Sequence, residues 1–493
     1  MSETRGIAEA QSTTCLGCEE SVASGTGRHE FDLTVLGGGS AGFAAAIRGA
    51  ELGASVAMVS GGVLGGTCVN VGCVPSKTLI RAAEASHRLA HHGFAGVPRP
   101  GGAPDWVAVR RQKDALVSEL RQSKYRDVLD AYERITLFES RGIVAPDGSV
   151  SLDGGSTLRA EKLVVTTGSS PWIAPTPGLA EAGYLDSASA MDLPSLPRSL
   201  AVIGGGYVGL ELGQMFARLG VRVTLLARRA RILRHEDAAI GTALAGYLRL
   251  EGMDIRTDAS VERVERNGVY RIHVLQDRER EIVTVDQLLV ATGRRANARG
   301  FGLEEAGVRV GEKGDIIVDE YLRTSVNGIY AAGDATGEPM YVYVAGHAGA
   351  LAAENALTGD AKPIDLTAVP KVTFTDPAVA SVGFTEAEAK SRGVEALVSV
   401  LSLEHVPRAL AARDTRGFIK LVAGAETRRL LGAQILAAEA GELITEPTLA
   451  IRYGLTIEDI TSTLHPYLTL SEGIKLAAQA FDKGVGRLSC CAA

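Results

Sequence analysis

The chain has 493 residues, 46% of them hydrophobic and 22% charged, an ordinary globular composition that excludes disorder as the main state. Glycine is frequent, at 58 residues, but follows no three-residue period, which excludes a collagen-like chain and points to nucleotide-binding loops. A formal charge of −7 provides no basic footprint, so no nucleic acid or anionic membrane partner is expected.

Residues 1–30 are rich in Ser, Thr, Glu and Gly and lack the basic start and apolar core of a signal peptide. A disordered tail and a cytoplasmic protein are expected. Its CLGC, Cys15 and Cys18, is either a small ion-collecting arm or inert; a structural zinc would ordinarily want four ligands. The uncharged stretch at 52–76 is broken by glycines and a proline, so it reads as strand, loop and helix start, not as a membrane span.

FDLTVL, beginning at Phe31, reads as a strand; it runs into GGGSAG, then a helical AAAIRGAEL, then a second strand ASVAMV. This is a βαβ dinucleotide fold. Gly37 permits the tight turn, Gly39 lets the backbone approach a pyrophosphate, and Gly42 lets helix and strand pack closely. The usual ribose-binding acid after the second strand is missing, since Ser60 stands there.

Next comes GGTCVNVGCVPSK, with Cys68 and Cys73 separated by four residues in a loop that becomes a helix near Pro75. The helix N-terminus and Lys77 both favour a thiolate at Cys73. A second fingerprint spans 199–226, where Gly204, Gly206 and Gly209 take the same three roles. Its second strand ends in ARRARILR, so Arg228 and Arg229 stand where a 2′-phosphate would lie, and NADPH is favoured over NADH. The six cysteines form three close pairs, the last being Cys490 and Cys491 in a tail without helix or strand pattern. Adjacent cysteines make only a strained disulfide, so they suit passing a soft ion or a disulfide better than stapling a fold.

GTCVNVGCVPSK, the two fingerprints, TTG at 166–168, ATG at 291–293 and AAGDATG around Asp334 together resemble the pyridine nucleotide–disulfide oxidoreductases over residues 31 to about 482. The resemblance implies FAD, NADPH and a redox-active Cys68–Cys73 pair. It places Thr67 and Lys77 at the flavin, pairs Glu211 with Lys77, and makes Tyr207 a lid moved by nicotinamide. Asp334 would hold the ribityl chain, backbone near Val342 would face the flavin ring, and Arg228 with Arg234 would bind the 2′-phosphate.

Members that reduce organic disulfides use a His and a Glu five residues later, from the partner subunit, to protonate the leaving thiol. Here His465 is followed by Pro466 and Tyr467, and Glu472 lies seven residues on, so no catalytic role is expected for His465. HPYLTLSEGIKLAAQAF, the terminal SCCA and LRQSKY around Tyr125 resemble the mercuric reductases. That resemblance implies a homodimer in which Tyr125 faces Tyr467 of the partner subunit. Hg(II), arriving as a thiol complex, would be handed from Cys490 and Cys491 to Cys68 and Cys73. A soft ion that prefers two thiolates suits a route built from cysteine pairs. The alternative is a large-type thioredoxin reductase or other disulfide reductase, a branch with Lys where Ser76 stands and with the His–Glu dyad kept. A non-catalytic mercury buffer would need neither cofactor site.

The expected fold class is α/β: two Rossmann-like dinucleotide-binding domains for FAD and NADPH plus a C-terminal α+β dimerisation domain. The FAD domain is expected at 31–175 and 296–362, interrupted by the NADPH domain at 176–295. A dimer-interface domain is expected at 363–482, with a mixed sheet and helices, and a tail with the vicinal cysteines at 483–493.

Overall fold

The computed structural model describes residues 28–487, except 100, 101, 338 and 360. Cys15, Cys18, Cys490 and Cys491 lie outside the described residues. No helix among those described is long and apolar enough to cross a membrane.

The first unit is built on a seven-stranded sheet. Its central strand, Arg28–Leu36, pairs in parallel with Val56–Val59 on one side and Thr157–Val165 on the other. Leu33–Leu36 and all of Val56–Val59 are buried, as expected of parallel strands covered on both faces. The helix Ser40–Glu51 buries Ala41, Ala45, Ala46 and Ala50 and packs against the helix Val342–Thr358, whose buried face is also mostly alanine and glycine. Small side chains on both let the axes come close. The strand Ile329–Ala331 returns to this sheet beside Leu163–Val165, which brings residues after the second fingerprint back to the first.

The second unit centres on a four-stranded parallel sheet in the spatial order Asp254–Arg256, Arg222–Leu226, Ser199–Ile203, Gln287–Val290. An antiparallel meander, Ser260–Asn267, Val269–Gln276 and Glu279–Val285, lies beside it. The chain crosses between the two units twice, and the crossings pair as the short antiparallel strands Ser169–Pro171 and Arg294–Ala296.

In the third unit the five strands Lys371–Thr373, Ala378–Gly383, Leu430–Ala437, Phe418–Gly424 and Ala396–Ser402 are neighbours in that order. Every pairing is antiparallel, which corrects the expectation of a mixed sheet. The connections at 374–377 and 425–429 are only a few residues long, which forces the strands they join to run antiparallel, since a parallel neighbour would need a longer crossover. A buried ion-pair network ties this unit to the second: Arg218 bridges Glu251 at 2.6 Å and Asp376 at 2.9 Å, and Arg416 reaches the same two carboxylates. Removing one member would strand the others' charge away from water.

Candidate active site

The two glycine loops have the same construction. Gly37 and Gly204 have φ of +130° and +127°, and a Cβ on either would stand 2.2 Å from a carbonyl oxygen, of Thr166 and Ala291 respectively. Only glycine turns there without strain. Gly42 and Gly209 pack onto the carbonyls of Gly37 and Gly204, while Gly39 and Gly206 cap their helices with no atom pressing close. Both helix N-termini therefore present open backbone to a pyrophosphate.

A cavity of ≈ 520 Å³ runs along the first loop from Ser60 to the cysteines. Gly39, Thr67, Asp334 and Val342 line it, with Val342 opening the helix Val342–Thr358. Asp334 accepts a hydrogen bond from the Ser169 hydroxyl at 2.6 Å, and Ser169 is itself gripped by Arg294. The glycine cradle and a carboxylate held at the wall fit an extended dinucleotide.

Cys68 lies inside a short helix, Gly66–Val71, and not in a loop as expected; Cys73 is the first residue of a second helix, Cys73–His91. Gly72 breaks the two apart. Asn70 folds back on the carbonyls of Leu64 and Gly66 and is held by Arg121, which fixes the turn that carries Cys68. The Cys68 thiol hydrogen-bonds the Cys73 sulfur, and that bond, helped by Lys77 and opposed by burial, brings Cys73 down to about 7. Cys68 is pushed up by the same partnership. One thiolate and one thiol therefore share this pair near neutral pH.

Lys77 sits one turn along the same helix and meets Glu211 at 2.7 Å. Glu211 is buried, on the helix Tyr207–Arg218 of the second unit, and accepts the Phe374 backbone N–H at 2.9 Å. The Lys77 ammonium lies 4.7 Å from the centre of the Phe374 ring. Tyr207, at the start of the Glu211 helix, is half-exposed on the cavity wall. With Lys77 replaced by Met, the Cys73 thiolate loses a counter-charge and faces a bare carboxylate. The pH midpoint for Cys73 alkylation should rise from near the wild-type value of about 7 by about one unit or more. An unchanged midpoint would show that Lys77 does not set the thiolate.

Tyr125 lies in the π-helical turn Gln122–Arg126, a distortion often found at functional sites. Its ring packs on Phe43 with centroids 4.8 Å apart, and its hydroxyl bonds Ser40. Burial foremost, then the neighbouring Cys68, pushes its ionisation up, so it remains a phenol beside the cysteines. Tyr467 is 63% exposed on the surface of the third unit and is absent from this cavity's lining. His465, two residues away, is almost buried, with Nε2 2.8 Å from Glu446 and Nδ1 3.0 Å from the Thr463 carbonyl. Both ring nitrogens are thus engaged within the chain. Glu472 is buried and accepts from the Leu468 backbone N–H.

In the second unit, the loop after Arg222–Leu226 folds onto the glycine turn, with the Leu233 N–H donating to the Gly205 carbonyl at 2.8 Å. It leaves Arg228, Arg229, Arg231 and Arg234 exposed beside that turn, with no ion pair among the described residues. Several contacts here could not be read from the sequence: Phe374 on Lys77 and Glu211, Ser169 on Asp334, and Phe43 with Ser40 on Tyr125. Only Ser169 carried a hint, lying directly after the TTG turn.

The model of the pyridine nucleotide-disulphide oxidoreductase family matches residues 31–349, and the model of its dimerisation domain matches 369–478. The chain belongs to the pyridine nucleotide–disulphide oxidoreductases. Among curated relatives, the mercuric reductase of Streptomyces lividans is 47% identical over 94% of this chain and 98% of its own. That of Staphylococcus aureus is 45% identical over 94% of this chain and 84% of its own. Among solved structures, the Cu(II) complex of the HOCl-induced flavoprotein disulfide reductase RclA from Escherichia coli superimposes with a TM-score of 0.80 at 30% identity. That alignment covers 90% of this chain and 98% of RclA. LpdA from Mycobacterium tuberculosis gives 0.81 at 28% identity, over 92% and 99%.

Proposed function

We propose that the chain is an NADPH-dependent flavoenzyme that reduces Hg(II) to elemental mercury and works as a homodimer. The observation that carries this reading is the Cys68–Cys73 dithiol, with Cys73 poised as a thiolate at neutral pH, opening on the cavity beside the first glycine loop. The mercuric reductases at 44–47% identity supply the choice of substrate. FAD would be held by Gly37, Gly39, Thr67, Lys77, Asp334 and the backbone at Val342; NADPH would be held by Gly204, Gly206, Gly209, Arg228 and Arg234. When bound, the two supply a hydride and deliver its electron pair to the dithiol side of the cavity.

The residues divide the remaining work. Cys68 and Cys73 grip Hg(II) between two soft sulfurs. Lys77, anchored on Glu211, keeps Cys73 ionised, and Tyr207 screens the nicotinamide position. Tyr125 bounds the pair on one side, and Tyr467 of the partner subunit would close the other. Hg(II) takes up two electrons and departs as a neutral atom, so no leaving thiolate needs a proton. The engagement of both His465 nitrogens is consistent with that demand. The substrate arrives as a bis-thiol complex in the cytosol, and Cys490 and Cys491 of the partner subunit receive it.

The decisive assay is anaerobic addition of Hg(II) with excess thiol to purified protein and NADPH, following NADPH loss and mercury vapour beside parallel reactions with glutathione disulfide and thioredoxin. Vapour released in step with NADPH loss supports the reading. Turnover of a disulfide without vapour would transfer the chain to the disulfide reductases. At the second site, replacing Arg228 and Arg234 by Gln should raise the NADPH Michaelis constant at least about tenfold and leave NADH nearly unchanged, because charge-assisted phosphate contacts contribute roughly 1.5–3 kcal/mol each. Equal losses for both cofactors would mean that the arginines are structural.

A further inference from the structure

The second strand of a dinucleotide-binding βαβ unit normally ends in a carboxylate that accepts the ribose hydroxyls. Here that position is Ser60, which is buried and donates its hydroxyl hydrogen to the Gly62 carbonyl at 3.0 Å. Its oxygen can still accept hydrogen bonds, but it brings no charge. A carboxylate, Glu139, follows the neighbouring strand Ile135–Phe138, whose Phe138 carbonyl receives the Ser60 N–H. Glu139 faces a separate surface groove and is paired with Arg126, so it does not replace the missing acid.

Arg141 is placed differently. It lines the same cavity as Ser60, Gly61 and Phe301. A Cβ on Gly61 would stand 3.0 Å from the Arg141 Cα, so the two backbones are in close packing. The guanidinium donates to the Gly300 carbonyl at 2.9 Å and lies 6.0 Å from the centre of the Phe301 ring. That hydrogen bond uses one of its five N–H groups, and the side chain has no ion pair among the described residues.

We infer that Arg141, together with Ser60, is the clasp for the adenosine end of the flavin dinucleotide, replacing recognition by a carboxylate with recognition by a donor. The inference rests on the reading of this cavity as the FAD site. Ser60 accepts one ribose hydroxyl, and the planar guanidinium, steadied by Gly300 and Phe301, donates to ribose oxygens or adenine nitrogens. The flavin end of the cavity, at Thr67, Cys68, Cys73 and Lys77, does not involve Arg141.

The test strips flavin from the purified protein and titrates the apoprotein with FAD, FMN and ADP, following flavin fluorescence or its recovery on displacement. Arg141→Met keeps the aliphatic stem and removes the donors. It should raise the FAD and ADP dissociation constants about tenfold and leave FMN unchanged, with Arg141→Lys falling between wild type and Met. Unchanged FAD binding in Arg141→Met overturns the inference. So does an equal loss for FAD and FMN, which would mark Arg141 as a prop for Gly300. If wild-type apoprotein takes up neither flavin, the flavin reading itself fails, a result distinct from both.

Discussion

Cys73→Ser is expected to lower Hg(II) turnover by roughly a thousandfold or more, to the level of the uncatalysed background, while FAD content and NADPH oxidation with an artificial acceptor remain near wild type. The hydroxyl of serine does not ionise in the working pH range and is a hard donor, so the site keeps one soft ligand where Hg(II) wants two. Cys73 is also the member held ionised, at about 7, by the Cys68 hydrogen bond and Lys77. Below that pH the wild-type thiolate fraction should fall about tenfold per unit, and above it the fraction should level off. In Cys73→Ser this titration vanishes. Mercury vapour and NADPH loss measured from pH 5.5 to 8.5 on both proteins check the expectation, and retained turnover in a well-folded Cys73→Ser protein would place the metal elsewhere.

The second large effect concerns the tail. Replacing Cys490 and Cys491 by Ala should leave flavin content, the alkylation midpoint of Cys73 and NADPH oxidation by an artificial acceptor intact. Turnover on bis-thiol Hg(II) should fall at least about a hundredfold. The lost step is ligand exchange: Hg(II) must surrender two strong soft ligands, and two thiolates on one tether take them in succession at high effective concentration. Hg(II) halides need no such exchange, so the same variant should still reduce some of the weakly ligated metal at Cys68 and Cys73. Wild-type rates on the bis-thiol complex would remove the relay. Loss of thioredoxin reduction in its place would favour the disulfide-reductase alternative.

What was legible in the sequence is what is local in it. A strand, a glycine turn and a helix are contiguous, so both dinucleotide folds could be placed from spacing. The same holds for Cys68 and Cys73, whose segment carries its own glycines and proline. Packing between distant segments was not legible. Nothing near Glu211 announces that Phe374, 163 residues later, donates to it. Nothing near His465 announces Glu446, because that contact joins the helix Thr445–Arg452 to a loop beyond the next helix. The two-helix form of the cysteine segment was hidden for another reason. Its six-residue first helix is too short to show a period, and Gly72 ends it through backbone shape alone. The direction of the strands in the C-terminal sheet was not legible because short, almost wholly buried apolar strands announce their burial but not the direction of their neighbours.

Phe374 belongs to the third unit, yet its amide anchors Glu211 of the second and its ring lies beside Lys77 of the first. The ammonium that tunes Cys73 is therefore steadied by a corner where all three parts of the chain meet. The share of that sulfur's acidity that Lys77 adds to the Cys68 hydrogen bond is then a property of the finished molecule. A nascent chain that has made only its first several hundred residues holds both cysteines but neither Phe374 nor the rest of the corner. In such a chain Cys73 lacks the steadied counter-charge of Lys77, so stray soft metal ions find less thiolate there before the machinery that can release them as atoms is complete.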